Sequence, residues 1–228
     1  NMADSLYAVK KLVFDEKKVT LAEYKRALAM NYGQGFDAVS AGEIVTEIVR
    51  EIRKANLPEM EKSGMTVDES QIAGMIEAVM NTKPSAEEKK KYEELLAMIE
   101  AVPKFGNDNE EVDLFARDVA YTYTRPLLNY QNPRGGQFQA GLYPVSANVP
   151  LGAQTGATPD GRLAHTPVAD GVSPSAGKDV NGPTAAANSV ARLDHGIASN
   201  GTLFNQKFHP TALSGEKGLE NFVALIRS

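Results

Sequence analysis

Three histidines and the serines of a glycine- and proline-rich tract are among the side chains of this 228-residue sequence whose types could do acid–base, metal or nucleophilic chemistry. Their spacing supports none of it. No two of His165, His195 and His209 lie within four residues of each other, and none stands in a His-x-x-x-His or glutamate-flanked arrangement. They read as loop or interface histidines. Neither Ser146 nor Ser173 has the setting of a nucleophile elbow. Gly152, Gly156 and Gly161 outline something like a phosphate cradle, but no Gly-Lys-Ser/Thr follows and the spacing is not G-x-G-x-x-G. Cysteine is absent, which excludes disulfides, thiolate metal sites and cysteine nucleophiles within these residues. No catalytic residue, metal ligand or bound cofactor is therefore assigned to the chain.

The glycines and serines just named belong to one tract, residues 135–183, which holds nearly half of the 19 glycines and half of the 12 prolines. Glycine opens positive φ, and proline fixes φ without donating a hydrogen bond, so the tract cannot be a regular helix. Phe138, Leu142, Tyr143, Val145, Val149, Leu151, Val168 and Val172 interleave with them, which is not the composition of a linker. The tract reads as ordered loops and short strands around a site or interface. Thr158-Pro-Asp-Gly161 is a strong turn signal. Arg162 directly after it is placed to pin the turn, through loop carbonyls or a carboxylate such as Asp170. Ser173-Pro174 and Asn181-Gly182 mark further turns.

The elements that would position this tract are mostly helices. Thr20-Leu-Ala-Glu23 and Ser85-Ala-Glu-Glu88 are capping boxes, with Leu21, Tyr24 and Leu28 after the first and Tyr92, Leu95, Leu96 and Ile99 after the second. Ser40-Ala-Gly-Glu43 opens a helix through Ile44, Ile48 and Ile52, and Thr66-x-x-Glu69 one through Ile72, Met75, Ile76 and Val79. Another begins near Asn107–Asn109 and runs through Val112, Phe115, Val119 and Tyr123 to Pro126. Leu6, Val9, Leu12 and Val13 sit at helical spacing from the start. Gly182-Pro183 looks like an N-cap followed by proline at the first helical position, residues 201–208 alternate like a strand, and a last helix runs from Gly218 to Ile226.

Charge divides the chain. Residues 1–130 carry 17 basic and 23 acidic side chains, and residues 131–228 carry 7 and 6. The expected organisation is a helical region over 1–130 and a loop, strand and helix region over 131–228, α+β in appearance. A net charge of −5 and a pI near 5.3 leave no basic stripe for nucleic acid. No apolar run approaches 18 residues and no signal-peptide pattern opens the chain, so a cytoplasmic protein without membrane contact is expected.

Several segments resemble the C-terminal part of the glycyl radical enzymes: Ser146-Ala-Asn-Val-Pro150, Thr155-Gly-Ala-Thr-Pro-Asp-Gly-Arg162, Pro167-x-Ala-Asp-Gly-Val-Ser-Pro174 and Asp179-x-Asn-Gly-Pro-Thr184. Ser5-Leu-x-Ala-x-Lys-Lys-Leu-Val-Phe14, Pro103-Lys-Phe-Gly-Asn-Asp108 and Asn205-x-Lys-Phe208 add to them in order. The family includes pyruvate formate-lyase, the B12-independent glycerol and propanediol dehydratases and choline trimethylamine-lyase. The Tyr143-to-Pro150 and Ala169-to-Pro174 wordings are closer to the dehydratase and C–N lyase branch. The resemblance implies an α/β fold, part of a ten-stranded barrel with a helical outer layer. It implies radical elimination, by dehydration or C–N cleavage, on a small alcohol such as glycerol, propanediol or choline, with a formate-lyase-type acyltransferase as an alternative. The absence of cysteine and the helix-rich first 130 residues leave a stand-alone, non-catalytic binding or assembly subunit as another. The resemblance further implies a glycyl radical installed by an activating enzyme that uses S-adenosylmethionine and an iron–sulfur cluster, a homodimer, and in some members a bacterial microcompartment. The family's radical glycine stands in Arg-Val-x-Gly-Tyr and its catalytic cysteine lies upstream of the matched part. Neither is in this sequence, so the chain reads as a fragment that is inactive alone. In the dehydratases the strand matching Tyr143 and Val145 lines the substrate pocket. Strand alternation puts these two on one face, and they are the expected substrate contacts.

Overall fold

The structure is a computed structural model, and it describes residues 1–37, 39–40, 83–143, 147–206, 208 and 214–227. The helices expected over 43–52 and 66–79 lie outside these. The chain divides into two units, each assembled from separated stretches: residues 8–102 with 151–166, and residues 1–7 with 103–150 and 167–228.

The N-terminal helix α1, Met2–Val9, continues as a π-helical turn over Lys10–Asp15. In the unit of residues 8–102 and 151–166, α2 spans Leu21–Ala29 and α3 spans Ala86–Ala101. Both capping boxes form as the sequence predicts. Glu23 N–H donates to Thr20 Oγ1 at 3.2 Å while Thr20 N–H donates back to Glu23 Oε2 at 2.8 Å. Ser85 and Glu88 make the same exchange at 3.2 and 2.9 Å. Each box satisfies amide donors that a helix start otherwise leaves unpaired. The last turn of α2 is joined to the first turn of α3, because Arg26 donates to Glu88 Oε1 at 3.2 Å.

The core of this unit is built from Leu12, Tyr24, Ala27, Tyr32, Tyr92, Leu95 and Ile99, all buried. Leu21, expected on the inner face of α2, is instead 45% exposed. The buried face of α2 is carried by Tyr24, Ala27 and Ala29, and Leu21 stands in the first turn. Between α2 and the segment leading to Asp37, Asn31 and Tyr32 both take left-handed φ, 45° and 50°. That reversal brings the Tyr32 side chain inward.

The other unit rests on α4, Glu110–Leu127, and α6, Pro183–Ala191. Asn109 caps α4 through its side-chain oxygen, which accepts from Val112 N–H. Glu110, Glu111 and Asp113 fill the first turn and Arg125 the last, as the helix dipole favours. Tyr7 and Phe115 meet edge to face at 5.4 Å. Gly182, at φ 90°, and Pro183 open α6 in the expected way.

Strand β1, Gly141–Leu142, pairs in parallel with β2, Gly201–Thr202, in the register Gly141 to Gly201 and Leu142 to Thr202. The strand expected over 201–208 is much shorter than the alternation suggested. Leu203 explains why: its N–H donates to Leu142 O, and its carbonyl accepts from Val172 N–H, so one residue beyond β2 the pairing changes partner. An isolated antiparallel bridge joins Gly171 to Phe204. Gly171 has φ 61°, and a Cβ there would overlap the Leu203 carbonyl. The approach of these two segments therefore requires glycine. Helix α5, Asn148–Ala153, precedes the Thr-Pro-Asp-Gly turn, and α7, Gly218–Arg227, is the last described element.

Candidate functional site

Tyr143 follows β1 directly and is 42% exposed. Its ring folds back over Gly141, two residues earlier on the same face of the strand. A Cβ on Gly141 would stand 2.6 Å from the Tyr143 ring and 3.3 Å from the Asn200 amide nitrogen. The register sets Gly201 beside Gly141, and a Cβ there would also meet the ring, at 3.6 Å. Asn200 holds its place by donating its backbone N–H to Ala140 O at 2.9 Å. Its side-chain amide donates to the Tyr143 hydroxyl oxygen at 3.0 Å. Tyr143 came from the family resemblance; the glycine two residues before it is the local mark that leaves room for its ring. Asn200 carries no such mark, because only the pairing of β1 with β2 brings it near. Val145, the second expected contact, lies outside the described residues, as do Ser146 and His209.

The Thr155-to-Arg162 segment is a scaffold turn whose carbonyls are taken up by one guanidinium and two phenols. Arg162 donates to the carbonyls of Thr155 at 3.3 Å, Leu163 at 3.1 Å and Thr166 at 2.6 Å, and to that of Gly156. Its Nε–H donates to Thr158 Oγ1 at 3.2 Å. Of the two pinning modes open to it, Arg162 takes the carbonyls; Asp170 accepts from Asn205 Nδ2 at 2.9 Å. Two tyrosines anchor the same turn: Tyr24 Oη–H donates to Pro159 O at 2.6 Å and Tyr32 Oη–H to Thr158 O at 2.9 Å. Burial pushes both phenols well above their ordinary pKa, with Asp160 adding to it, so both remain donors. The amides of Ala157, Thr158, Gly161 and Arg162 already donate to Ser40 Oγ, Arg162 O, Thr158 O and Asp160 Oδ1, so they do not make a nest for a phosphate.

His165 closes this loop. At φ 63°, its Nδ1 lies 2.8 Å from Ala153 O and its Nε2 2.7 Å from Asp37 Oδ1. Both partners are acceptors, so both contacts are hydrogen bonds only when the ring carries two protons. The Ala153 carbonyl and then Asp37 raise the imidazole pKa above its ordinary value. Burial alone would raise the Asp37 carboxyl, but hydrogen bonds from Ser40 and His165 hold it below the usual carboxylate range. Ser40 Oγ–H donates to Asp37 at 2.5 Å and accepts from Ala157 N–H at 2.6 Å. Nothing in the sequence linked residue 37 to residue 165.

The remaining candidates are structural. His195 contacts Thr202 Oγ1 at 3.1 Å and Val190 O at 2.8 Å. Ser173 Oγ accepts from Asn205 N–H at 2.9 Å. The Lys104-to-Asp108 segment feeds a polar knot on α4 and α6. Asp108 N–H donates to Ser189 Oγ, whose hydroxyl donates to Asp113, and Arg192 bridges Asp108 at 2.5 Å and Asp113 at 2.7 Å. Among the described residues no group of three metal-ligating side chains occurs. Among the described residues no helix is long and apolar enough to cross a membrane. A hollow of about 410 Å3 beside α2 is mainly apolar, lined by Leu21, Tyr24, Leu28, Val39 and Pro159 among others.

Two family models match: pyruvate formate lyase-like over residues 1–152 and glycine radical over residues 168–228. A structure titled for 1,2-propanediol dehydration in Roseburia inulinivorans matches with 59% identity and a TM-score of 0.82, over 100% of this chain and 26% of that one. The glycerol-bound B12-independent glycerol dehydratase from Clostridium butyricum matches with 46% identity and a TM-score of 0.66, over 99% of this chain and 21% of that one. A probable dehydratase, YbiW of Escherichia coli strain K12, is 44% identical over 137 residues, 58% of this chain and 17% of that protein. The chain thus spans between about a sixth and a quarter of the length of these proteins.

Proposed function

We propose that this chain, which belongs to the pyruvate formate lyase-like family of glycyl radical enzymes, supplies part of an enzyme that eliminates water from a small vicinal diol. The fold is accordingly the α/β class of that family. The observation that carries the functional reading is the 59% identity, sustained over the whole chain, with the structure concerned with 1,2-propanediol dehydration. On this reading residues 1–130 belong to the helical outer layer and residues 131–228 to the loops, strand and helices of the barrel.

Tyr143 and Val145 are the proposed substrate contacts. A phenol offers one donor and an acceptor to a diol hydroxyl on a mainly apolar ring, and a valine beside it would exclude water. Both roles are positional. Loss of hydroxide from carbon needs a proton at the leaving oxygen, and a hydrogen bond from Tyr143 would hold that oxygen in place for the group that supplies it. No general acid or base is assigned here.

The radical chemistry belongs to residues outside these 228. With no cysteine the chain can form no thiyl group and can hold no iron–sulfur cluster through thiolates. The cluster and S-adenosylmethionine would reside on an activating enzyme, which is the proposed partner along with a second copy of the enzyme. The setting proposed is cytoplasmic.

The test is a substrate panel on the activated full-length enzyme: propane-1,2-diol, glycerol, choline, and pyruvate with coenzyme A. Aldehyde from the diols is the expected product, and the 228-residue chain alone should turn over none of the four. Formate and acetyl-coenzyme A from pyruvate, without aldehyde from either diol, would overturn the proposal.

A further inference from the structure

We infer that Asn200 is a positioning residue for Tyr143, fixing the phenol so that its proton is directed to a substrate oxygen. The inference rests on the reading of Tyr143 as a substrate contact. A hydroxyl has one proton to give and lone pairs to receive with. The Asn200 amide N–H already occupies an acceptor position on the Tyr143 oxygen, at 3.0 Å. Among the described residues no acceptor takes the phenol proton in return. The phenol is therefore left as a donor. A substrate hydroxyl meeting it would accept, which suits the oxygen that is to leave as water.

Three features of the backbone make the arrangement a built one. Asn200 is tied to Ala140 through its main-chain N–H, so its side chain starts from a fixed point at the head of β2. Gly141 and Gly201 face each other in register, and neither has a side chain to lift the ring. The ring and the amide share the space above Gly141, where one added methyl group would meet both. Orientation is thus set by two glycines, and the direction of the hydrogen bond by one amide.

The experiment compares wild type, Tyr143→Phe, Asn200→Ala, Asn200→Asp and the double variant Tyr143→Phe/Asn200→Ala in the activated full-length enzyme. Asn200 is exposed, so its truncation leaves the core untouched. Each single variant is expected to lower kcat/KM for propane-1,2-diol about 3- to 10-fold, the range for one neutral hydrogen bond. The double variant should be no worse than the worse single one, because both remove the same contact. Asn200→Asp should fall about a further tenfold, since a carboxylate accepts the phenol proton and takes it from the substrate. As a readout that general damage would not move, propan-1-ol and propane-1,2-diol are compared as competitive ligands. Asn200→Ala should weaken the diol and leave the mono-alcohol unchanged. Gly141→Ala, which keeps both polar groups but displaces the ring, should lose the same discrimination.

If Tyr143→Phe impairs diol turnover while Asn200→Ala stays within twofold of wild type, the inference is wrong and the dehydratase reading stands. Equal loss of both alcohols in Asn200→Ala also overturns it. If wild type turns over no diol, the dehydratase reading fails first and the inference falls with it.

Discussion

Replacing Arg162 should loosen the Thr155-to-Thr166 loop by an amount that its contacts allow one to estimate. Its guanidinium serves four carbonyls and the Thr158 hydroxyl, among them Thr166 O at 2.6 Å. A hydrogen bond to a charged group contributes roughly 1.5–3 kcal/mol when water is excluded. The side chain is only partly buried, so water would replace some of these partners in its absence. Burial also lowers the guanidinium pKa somewhat, opposed by Asp160, although Arg stays a cation throughout the folded range. We therefore expect Arg162→Ala to cost about 3 kcal/mol of loop stability. Arg162→Lys keeps the charge but presents its donors from a single point, and should cost about half as much. The assay is amide hydrogen exchange at Thr158, Gly161 and His165, whose N–H groups bond to Arg162 O, Thr158 O and Thr155 O, each at 3.0 Å. At 1.4 kcal/mol per tenfold, Arg162→Ala should speed their exchange by about two orders of magnitude and Arg162→Lys by about one. If both variants stayed within threefold of wild type, or lost protection equally, the guanidinium would not be the organising group of this loop.

Other outcomes follow from the same contacts. The His165 clasp has a pH signature. The histidine's raised native pKa makes its contribution complete below about pH 6.5 and lost as pH rises through the raised value. The lowered pKa of Asp37 makes that group's contribution complete above pH 3.8 and lost as pH falls through the lowered value. Protection of the Ala157 amide, taken relative to its intrinsic exchange rate at each pH, should thus be greatest between these limits, and His165→Gln should remove the alkaline limb; a pH-independent difference in protection would refute it. Gly171→Ala, which sets a Cβ against the Leu203 carbonyl at positive φ, should destabilise by about 3 kcal/mol, read as a fall in the urea midpoint. Thr20→Ala should cost about 1 kcal/mol in the same measurement, as the loss of a capping side chain does.

Most of the described helices were legible in the sequence because their signals are local; α5, Asn148–Ala153, was not, since it lies in a glycine- and proline-rich tract that reads as loops and short strands. Thr20 with Glu23 and Ser85 with Glu88 lie three residues apart, and the bonds they make close within that distance. Asn109 and Gly182-Pro183 are likewise local marks. The strand expected over 201–208 is cut to Gly201–Thr202 because a strand's extent is set by its partners, and Leu203 has two different ones. The π-helical turn at Lys10–Asp15 left no sign in the apolar spacing. At the candidate site the resemblance supplied Tyr143, while the amide that orients it stands 57 positions away and became visible only with the parallel register of β1 and β2. The same holds for Asp37 and His165, separated by 128 positions. Arg162 lay between these cases: its pinning role was readable from the turn beside it, but the choice of carbonyls over Asp170 required the loop's path.

The most direct test of the account is a crystal structure of the full-length enzyme with propane-1,2-diol bound. The account predicts a diol oxygen within about 3.2 Å of Tyr143 Oη, a hydrogen-bond distance, on the side of the phenol away from Asn200. A diol bound elsewhere, with the Tyr143 hydroxyl sealed against protein, would contradict it.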